Sequence, residues 1–348
     1  MPLYALGSNS SYQLSLTHTN DVSVPTKTTL DLPADEYPVK ITAGGNHTLL
    51  LTNKGSLYVT GANRDGQCMT PACDFICGFA KVDGFWTDCA ATWEGSVVVD
   101  ANGLVSSFGR IKDHKNLAGW KLGGDSVASA VDGTSSTLGD QSGNGAVVVG
   151  GGAEGTRVVG GVQHFVVLTP NSVLGFGDSR KGQLGISQSN QPFKISSNSI
   201  VQAACGKDFT CLLSQTNNLE FHSTSTKHNL HLMPSHPSND SRVVASWSTI
   251  ALLDTDGKIT SWGRSDHGQF PPEGLPPISQ LAAGSEHFIA LSEEYKVYAW
   301  GWNEHGNCGR EDKADVTIVH ELILPKDERA TYVAAGCGTS WIWTEKLN

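Results

Sequence analysis

The chain is written in short apolar runs of strand length, each stopped by glycine, and not in the i, i+3, i+4 stripes of amphipathic helices. Val297-Tyr298-Ala299-Trp300-Gly301 is the plainest of them. Its β-branched and aromatic side chains suit a pleated surface, and the glycine allows a sharp exit into the loop Trp302-Asn303-Glu304-His305-Gly306-Asn307-Cys308-Gly309. The same layout returns at 259–270, 173–185 and 57–67. A second half-unit repeats as well, a tetrad opened mostly by glycine and followed by an apolar strand. Gly44-Gly45-Asn46-His47 precedes such a strand, and its counterparts begin at Thr92, Gly161, Gly206, Ser246, Gly284 and Gly336. Turns such as Asn53-Lys54-Gly55, Ala101-Asn102-Gly103 and Thr255-Asp256-Gly257 then lead onward as tight hairpins whose central residues tolerate positive φ.

Tetrads spaced roughly 40 to 70 residues apart have the period of repeats that each form one small antiparallel sheet around a common axis. Seven of them predict an all-β fold, a seven-bladed β-propeller forming one domain over 1–348. The last tetrad is followed by Trp341-Ile342-Trp343 without the strand that the other copies place next, and residues 1–7 are that strand without its tetrad. N- and C-terminal strands are therefore expected to complete one blade together and remove an open sheet edge. The third copy is swollen by Ser, Gly, Ala and Asp between Gly123 and Gly155, which reads as a long, mobile Gly/Ser-rich loop within 123–156. Copies four and five are the degenerate ones. The fourth ends at Leu219-Glu220-Phe221-His222 without glycine, and a His-rich stretch, 222–236, replaces the usual loop.

Composition narrows the function. A count of 39 Gly and 9 Trp with only 17% charged residues agrees with many short strands. A formal charge of −10 repels a nucleic-acid backbone, and Lys112 to Lys115 and Arg180-Lys181 are too short to form a basic patch. No apolar run approaches the roughly 20 residues that span a bilayer, and the repeat motif begins too early to leave room for a signal peptide. The expectation is a soluble protein of the cytoplasm, with the nucleus as a second compartment, that meets neither nucleic acid nor membrane directly. The eight cysteines then read mostly as small buried hydrophobes.

Candidate chemistry thins out on inspection. Gly150 to Gly155 satisfies G-x-G-x-x-G, but the β-branched Thr156-Arg157-Val158-Val159 follows where a dinucleotide site needs a helix N-terminus. Cys68, Cys73 and Cys77 lack the paired spacing and fourth ligand of a zinc site. His222, His228, His231 and His236 form a loose cluster without fixed spacing, read as a solvated loop. His47, His164 and His287 share one tetrad place, where a ring can tie neighbouring blades through hydrogen bonds. With no Gly-x-Ser-x-Gly elbow and no His-Glu-x-x-His, no catalytic residue, cofactor or metal ligand is assigned.

The paired signatures, a strand ending in aromatic-Gly, then x-x-x-x-Gly-Gln-Leu-Gly, and later Gly-x-x-His-Ser/Thr, resemble the regulator-of-chromosome-condensation repeat family over essentially the whole chain. Within it, Gly44 to His47, Gly206 to Phe209, Trp247-Ser248-Thr249, Ser285-Glu286-His287, Gly301 to Gly309 and Thr339-Ser340-Trp341-Ile342 are similar to a fungal branch, the alpha-tubulin suppressor or killer-toxin-insensitivity proteins. That resemblance implies a non-enzymatic scaffold that forms a heterodimer with a small CSL-type protein carrying zinc or iron on four cysteines. It further implies a part in diphthamide synthesis on elongation factor 2 and, indirectly through Elongator, in tRNA wobble-uridine modification. The broad family also includes guanine-nucleotide exchange factors for small GTPases, which is the alternative function.

Ultraviolet-sensing members carry Trp and Arg at the second and third tetrad places. Here those places vary from blade to blade, with Trp93-Glu94, Lys207-Asp208, Trp247-Ser248 and Ser285-Glu286. Aromatics among charges are what an interface uses for buried area and orientation. The partner-binding residues expected on one propeller face are therefore Trp93, Glu94, Lys207, Asp208, Trp247 and Glu286, together with Trp302, Glu304 and His305 from the adjoining loop. Trp93 and Trp247 stand two whole blades apart in sequence with no Arg beside them, which argues against a light-sensitive Trp lattice.

Overall fold

The computed structural model describes residues 1–111, 120–123, 126–130, 147–150, 155–185, 193–196, 198–233, 237 and 241–347. Seven small antiparallel sheets make a seven-bladed β-propeller, each running outward from an inner strand. Blade one runs Pro38–Ala43, His47–Thr52, Leu57–Asn63, Cys73–Val82; blade two Trp86–Ala91, Glu94–Asp100, Val105–Arg110, Val147–Gly150; blade three Arg157–Gly160, His164–Thr169, Ser172–Gly177, Phe193–Ser196. Blades four and five have three strands each among the described residues. These are Ile200–Cys205, Thr210–Ser214, Leu219–His222 and Arg242–Ala245, Thr249–Leu253, Ile259–Gly263. Blade six is Ile278–Ala283, His287–Ser292, Val297–Gly301, Glu321–Leu322.

The seventh blade joins the two ends of the chain, in the order Glu328–Gly336, Thr339–Lys346, Leu3–Gly7, Val22–Lys27. Leu3 pairs with Trp343 and Gly7 with Thr339, which is the closure read from the sequence. The insertion differs from expectation in two respects. Val147–Gly150 pairs with Val105–Arg110, so the swollen region belongs to the second blade and not the third, and Ser126–Ala130 pairs with Trp120–Gly123 as a separate ribbon. The rest of the expected loop, including most of the glycine-rich 150–155 stretch, lies outside the described residues, as does the basic run 112–115. No helix follows that stretch, since Arg157–Gly160 is the inner strand of blade three.

Seven inner strands converge on the axis, and their ends are small because nothing larger fits. Ala43, Ala91, Gly160, Cys205, Ala245, Ala283 and Ala335 line an axial cavity of about 110 Å³. A side-chain carbon on Gly160 would stand 2.1 Å from the Ala91 carbonyl oxygen. Two rings of hydrogen bonds join the blades. At the tetrads, His47 Nε2 meets Ser96 Oγ, His164 Nε2 meets Thr210 Oγ1 and His287 Nε2 meets Ser340 Oγ, each at 3.0 Å and each across a blade boundary. That is the blade-tying role expected of these rings.

The second ring was not foreseen. Most inner strands carry a bulge near their start, and the residue after it turns a polar group onto the next blade. Asp88 accepts from Val158 N at 2.8 Å, Gln202 from Val243 N at 3.0 Å, and the Tyr332 hydroxyl from Ile41 N at 3.1 Å. Gln280 donates to Thr331 O at 2.9 Å.

The cysteines divide. Cys68, Cys89, Cys205, Cys211 and Cys308 are buried, Cys337 is half-buried, and Cys73 and Cys77 are exposed. Cys68 and Cys308 occupy the leucine place of the Gly-Gln-Leu loop, where Leu14 and Leu184 are also buried, and burial holds both thiols well above their ordinary range. Among the described residues no group of His, Cys, Asp and Glu could hold a metal ion, and no helix is long and apolar enough to cross a membrane.

Candidate functional site

Each tetrad is a closed local turn whose first N–H donates to its fourth carbonyl, as Gly206 N does to Phe209 O at 3.0 Å and Ser246 N to Thr249 O at 2.9 Å. The second residue is thereby pushed to the axis, where its backbone joins the next tetrad. Gly45 N donates to Trp93 O, Trp93 N to Val162 O, Lys207 N to Trp247 O and Trp247 N to Ser285 O, at 2.8 to 2.9 Å. Third-place carbonyls hold the loops that leave the third strands, through Arg264 N to Ser248 O and Trp302 N to Glu286 O, both 2.9 Å. In blade four the Ser223 hydroxyl donates to Asp208 O at 2.8 Å, and a side chain does the loop-holding there.

This wiring places the second-place tryptophans at one mouth of the channel. Trp93 and Trp247, with two whole blades between them in sequence, have ring centroids 5.4 Å apart at an interplanar angle of 60°. Counting blades thus gave the wrong distance, because all second places meet at the axis whatever their separation around the ring. The tilted pair is half-buried, and Lys207 Nζ lies 5.9 Å from the Trp247 ring centroid.

Beside this pair, between blades four, five and six, lies a pocket of about 270 Å³. Five of the nine expected residues line it: Lys207, Asp208, Trp247, Glu286 and Trp302. Glu286 is buried and fully engaged. It accepts from Ser248 Oγ at 2.8 and 2.7 Å and from Gln269 Nε2 at 3.1 Å, and stands 3.6 Å from an Arg264 guanidinium nitrogen. It therefore braces the pocket from within the fold. Trp302 stacks on His267 at 4.5 Å and 6°, and His267 Nδ1 is 2.7 Å from Asp315 Oδ2, so the indole is held in place by the fold itself.

The other four stand elsewhere. Trp93 lines the axial cavity. Glu94 lies 3.8 Å from Arg110, which also reaches Asp65 at 3.1 Å. Glu304 is exposed on its loop, and His305 Nδ1 is committed to Asp21 at 2.9 Å, tying that loop to the N-terminal segment.

Four contributors to the pocket, Arg264, Lys227, His228 and Leu230, lie outside the expected set. Arg264 follows an aromatic-Gly strand end, and its paired carboxylates, Asp266 and Glu286, hold its pKa above the ordinary value. Lys227, His228 and Leu230 come from the His-rich stretch, which is not simply a solvated loop. Lys227–Leu232 forms a short 3₁₀ turn with His228 and Asn229 at positive φ, and buried Leu230 packs with Val243, Ile250 and Leu252. The signal available in the sequence was the apolar Leu230-His231-Leu232-Met233 run, of which Leu230 is buried and Leu232 exposed. His222 is largely buried beside Glu220, and burial lowers its pKa; His236 lies outside the described residues.

The regulator of chromosome condensation (RCC1) repeat is matched by two models, one over residues 39–67 and 278–307, the other over 2–51, 171–213 and 296–343. An RCC1 repeat-containing protein of Schizosaccharomyces pombe is 31% identical across 99% of this chain and 99% of its own length. The secretion-regulating guanine nucleotide exchange factor of Mus musculus is 26% identical over 97% of this chain and 82% of its own. Among solved structures, Prp20p of Saccharomyces cerevisiae superposes with a TM-score of 0.78 at 18% identity, over 100% of this chain and 92% of that one. By the matched repeats and the full-length likeness, the chain belongs to the RCC1 repeat family.

Proposed function

We propose that the Trp93–Trp247 mouth and the adjoining pocket are the docking surface of a non-enzymatic scaffold. The observation that carries this is Trp302 immobilised against His267 on one side of the pocket while Trp247 and exposed Lys207 flank the other. Pre-held aromatics beside charge are the anchors on which protein interfaces concentrate their energy. Of the residues around them, Glu286 is spent inside the fold on Ser248, Gln269 and Arg264. The partner in this reading is a small CSL-type zinc- or iron-binding protein, as the tetrad and loop similarity to the fungal alpha-tubulin suppressor proteins suggests. Its heterodimer with this chain, in the cytoplasm and secondarily the nucleus, would serve diphthamide synthesis and Elongator-dependent tRNA modification. Replacing Trp247 and Trp302 together by Ala is expected to weaken the complex by about 4 kcal/mol, since anchor aromatics commonly cost about 2 or more each. Isothermal titration of the purified pair measures it. An unchanged dissociation constant with the fold intact sinks the assignment.

The relationship to the mouse exchange factor favours a second reading, exchange on a small GTPase. Exchange factors act by stabilising the nucleotide-free GTPase, so release of a labelled guanine nucleotide from a panel of small GTPases separates the two. Acceleration by catalytic amounts of this protein would replace the scaffold reading.

A further inference from the structure

Resting on the docking reading, we infer that the pocket between blades four, five and six selects an acidic segment of its partner, one with carboxylates flanking an apolar side chain. The chain as a whole carries −10, so a local excess of cations runs against its average. Of the ionic groups lining the pocket, Glu286 and Arg264 are spent on each other and on Ser248, Gln269 and Asp266. What remains on the pocket wall is Lys207 and Lys227 against Asp208. Both lysines are exposed, and neither makes an ion pair among the described residues. Lys181 extends the basic rim, since its carbonyl accepts from Thr224 N at 2.6 Å beside pocket-lining Ser223 and its own side chain is exposed and unpaired among the described residues.

Size and wall chemistry fix the rest. At about 270 Å³ the pocket falls under the ~300 Å³ at which small-molecule sites begin, and suits one or two side chains of a protein. Trp247 and Trp302 give that side chain two indole surfaces, while the lysines stand where carboxylates on either side of it would be met. Lysine is also the apt cation for such a rim, because a flexible, hydrated ammonium tolerates more than one carboxylate position.

The probe is a fluorescein-labelled pentapeptide, Glu-Asp-Phe-Glu-Asp, titrated into the whole protein and followed by polarisation. Its counterpart with every acid replaced by lysine is the control. We expect the acidic probe to bind, the basic one to bind at least tenfold more weakly, and binding to fall as salt shortens the ~8 Å screening length of 0.15 M solution. The double variant Lys207→Glu with Lys227→Glu should lose at least tenfold in affinity for the acidic probe and gain for the basic one, and circular dichroism should show the fold retained. Equal binding of both peptides, no binding of the acidic one at millimolar concentration, or indifference to the charge reversal overturns the inference. The milder pair Lys207→Gln with Lys227→Gln covers the case in which the reversal disturbs folding, with a smaller loss in the same direction. The docking reading fails separately: if the acidic probe binds as described while the Trp247 and Trp302 replacements leave the metal-binding partner's affinity untouched, the pocket's chemistry stands and its assignment to that partner falls.

Discussion

The free energy of unfolding should drop steeply as the pH is lowered from 6.5 toward 4, by about 3 kcal/mol for each of three tetrad histidines. Burial pushes His47, His164 and His287 down from 6.5 to about 4, only partly opposed at His164 by the nearby Asp178. Each ring is fully enclosed and holds a hydroxyl of the next blade, which a neutral imidazole does without desolvating a charge. The unfolded chain therefore takes up protons over this window and the folded chain does not. The contribution is complete above pH 6.5, is lost progressively below it, and reaches its limit near pH 4. Together the three amount to about 9 kcal/mol, against the 5–15 kcal/mol that holds a typical domain.

Urea melts at pH 7, 6 and 5 read the effect directly, with each ring adding about 1.4 kcal/mol per pH unit in the middle of the window. Blade four supplies its own control. There the fourth tetrad place is Phe209 and the facing residue on blade five is Ile250, both in one apolar cluster, so the pairing of partners is kept while the chemistry changes. Transplanting that pair as His47→Phe with Ser96→Ile should remove about a third of the pH slope, whatever it does to stability at pH 7. An unchanged slope would mean that the histidines are not the titrating groups.

Those histidines were legible in the sequence because repetition marks equivalence. Three rings in one tetrad place announce a shared structural task, and the blade closure by residues 1–7 was legible for the same reason. What stayed hidden has identifiable causes. The inter-blade polar ring of Asp88, Gln202, Gln280 and Tyr332 follows backbone bulges, and a bulge shifts the register by one residue, so a period of two misplaces every side chain after it. Arg264, Lys227 and Leu230 reach the pocket from loops whose course depends on tertiary contacts. Blade five ends early for a reason visible in retrospect: Pro271, Pro272, Pro276 and Pro277 follow its third strand and lack the N–H groups that a fourth strand must donate. For the site, the sequence marked tetrads whose members line the pocket but not which of those members are spent internally. Glu286 and His305 have the residue types of an interface and the hydrogen bonds of a scaffold.

Replacing Asp88 by Ala should destabilise the protein by about 2–4 kcal/mol, the second-largest effect on stability expected here, at the end of the inner strands away from the tetrads. Asp88 is nearly buried and ties three blades together. Its Oδ1 lies 2.7 Å from Lys40 Nζ on blade one and accepts from its own blade's Cys89 N at 2.9 Å, while Oδ2 accepts from Val158 N on blade three at 2.8 Å. Lys40 Nζ completes the link by donating to Val158 O at 3.0 Å. Truncation leaves an ammonium and two amide donors without their acceptor, in a place where water reaches only the lysine. Because a third of the Lys40 side chain is exposed, the cost falls below the 3–5 kcal/mol of a fully buried broken pair. Asp88→Asn keeps one acceptor and should recover roughly half. The double variant Asp88→Ala with Lys40→Met should be less damaging than the sum of its singles by about 1–2 kcal/mol, since no unpaired charge remains for the fold to carry. Urea denaturation of the four proteins at pH 7 closes this cycle. A coupling near zero would show that the three blades are held by their backbones and apolar faces alone, with the ion pair an ornament of the channel.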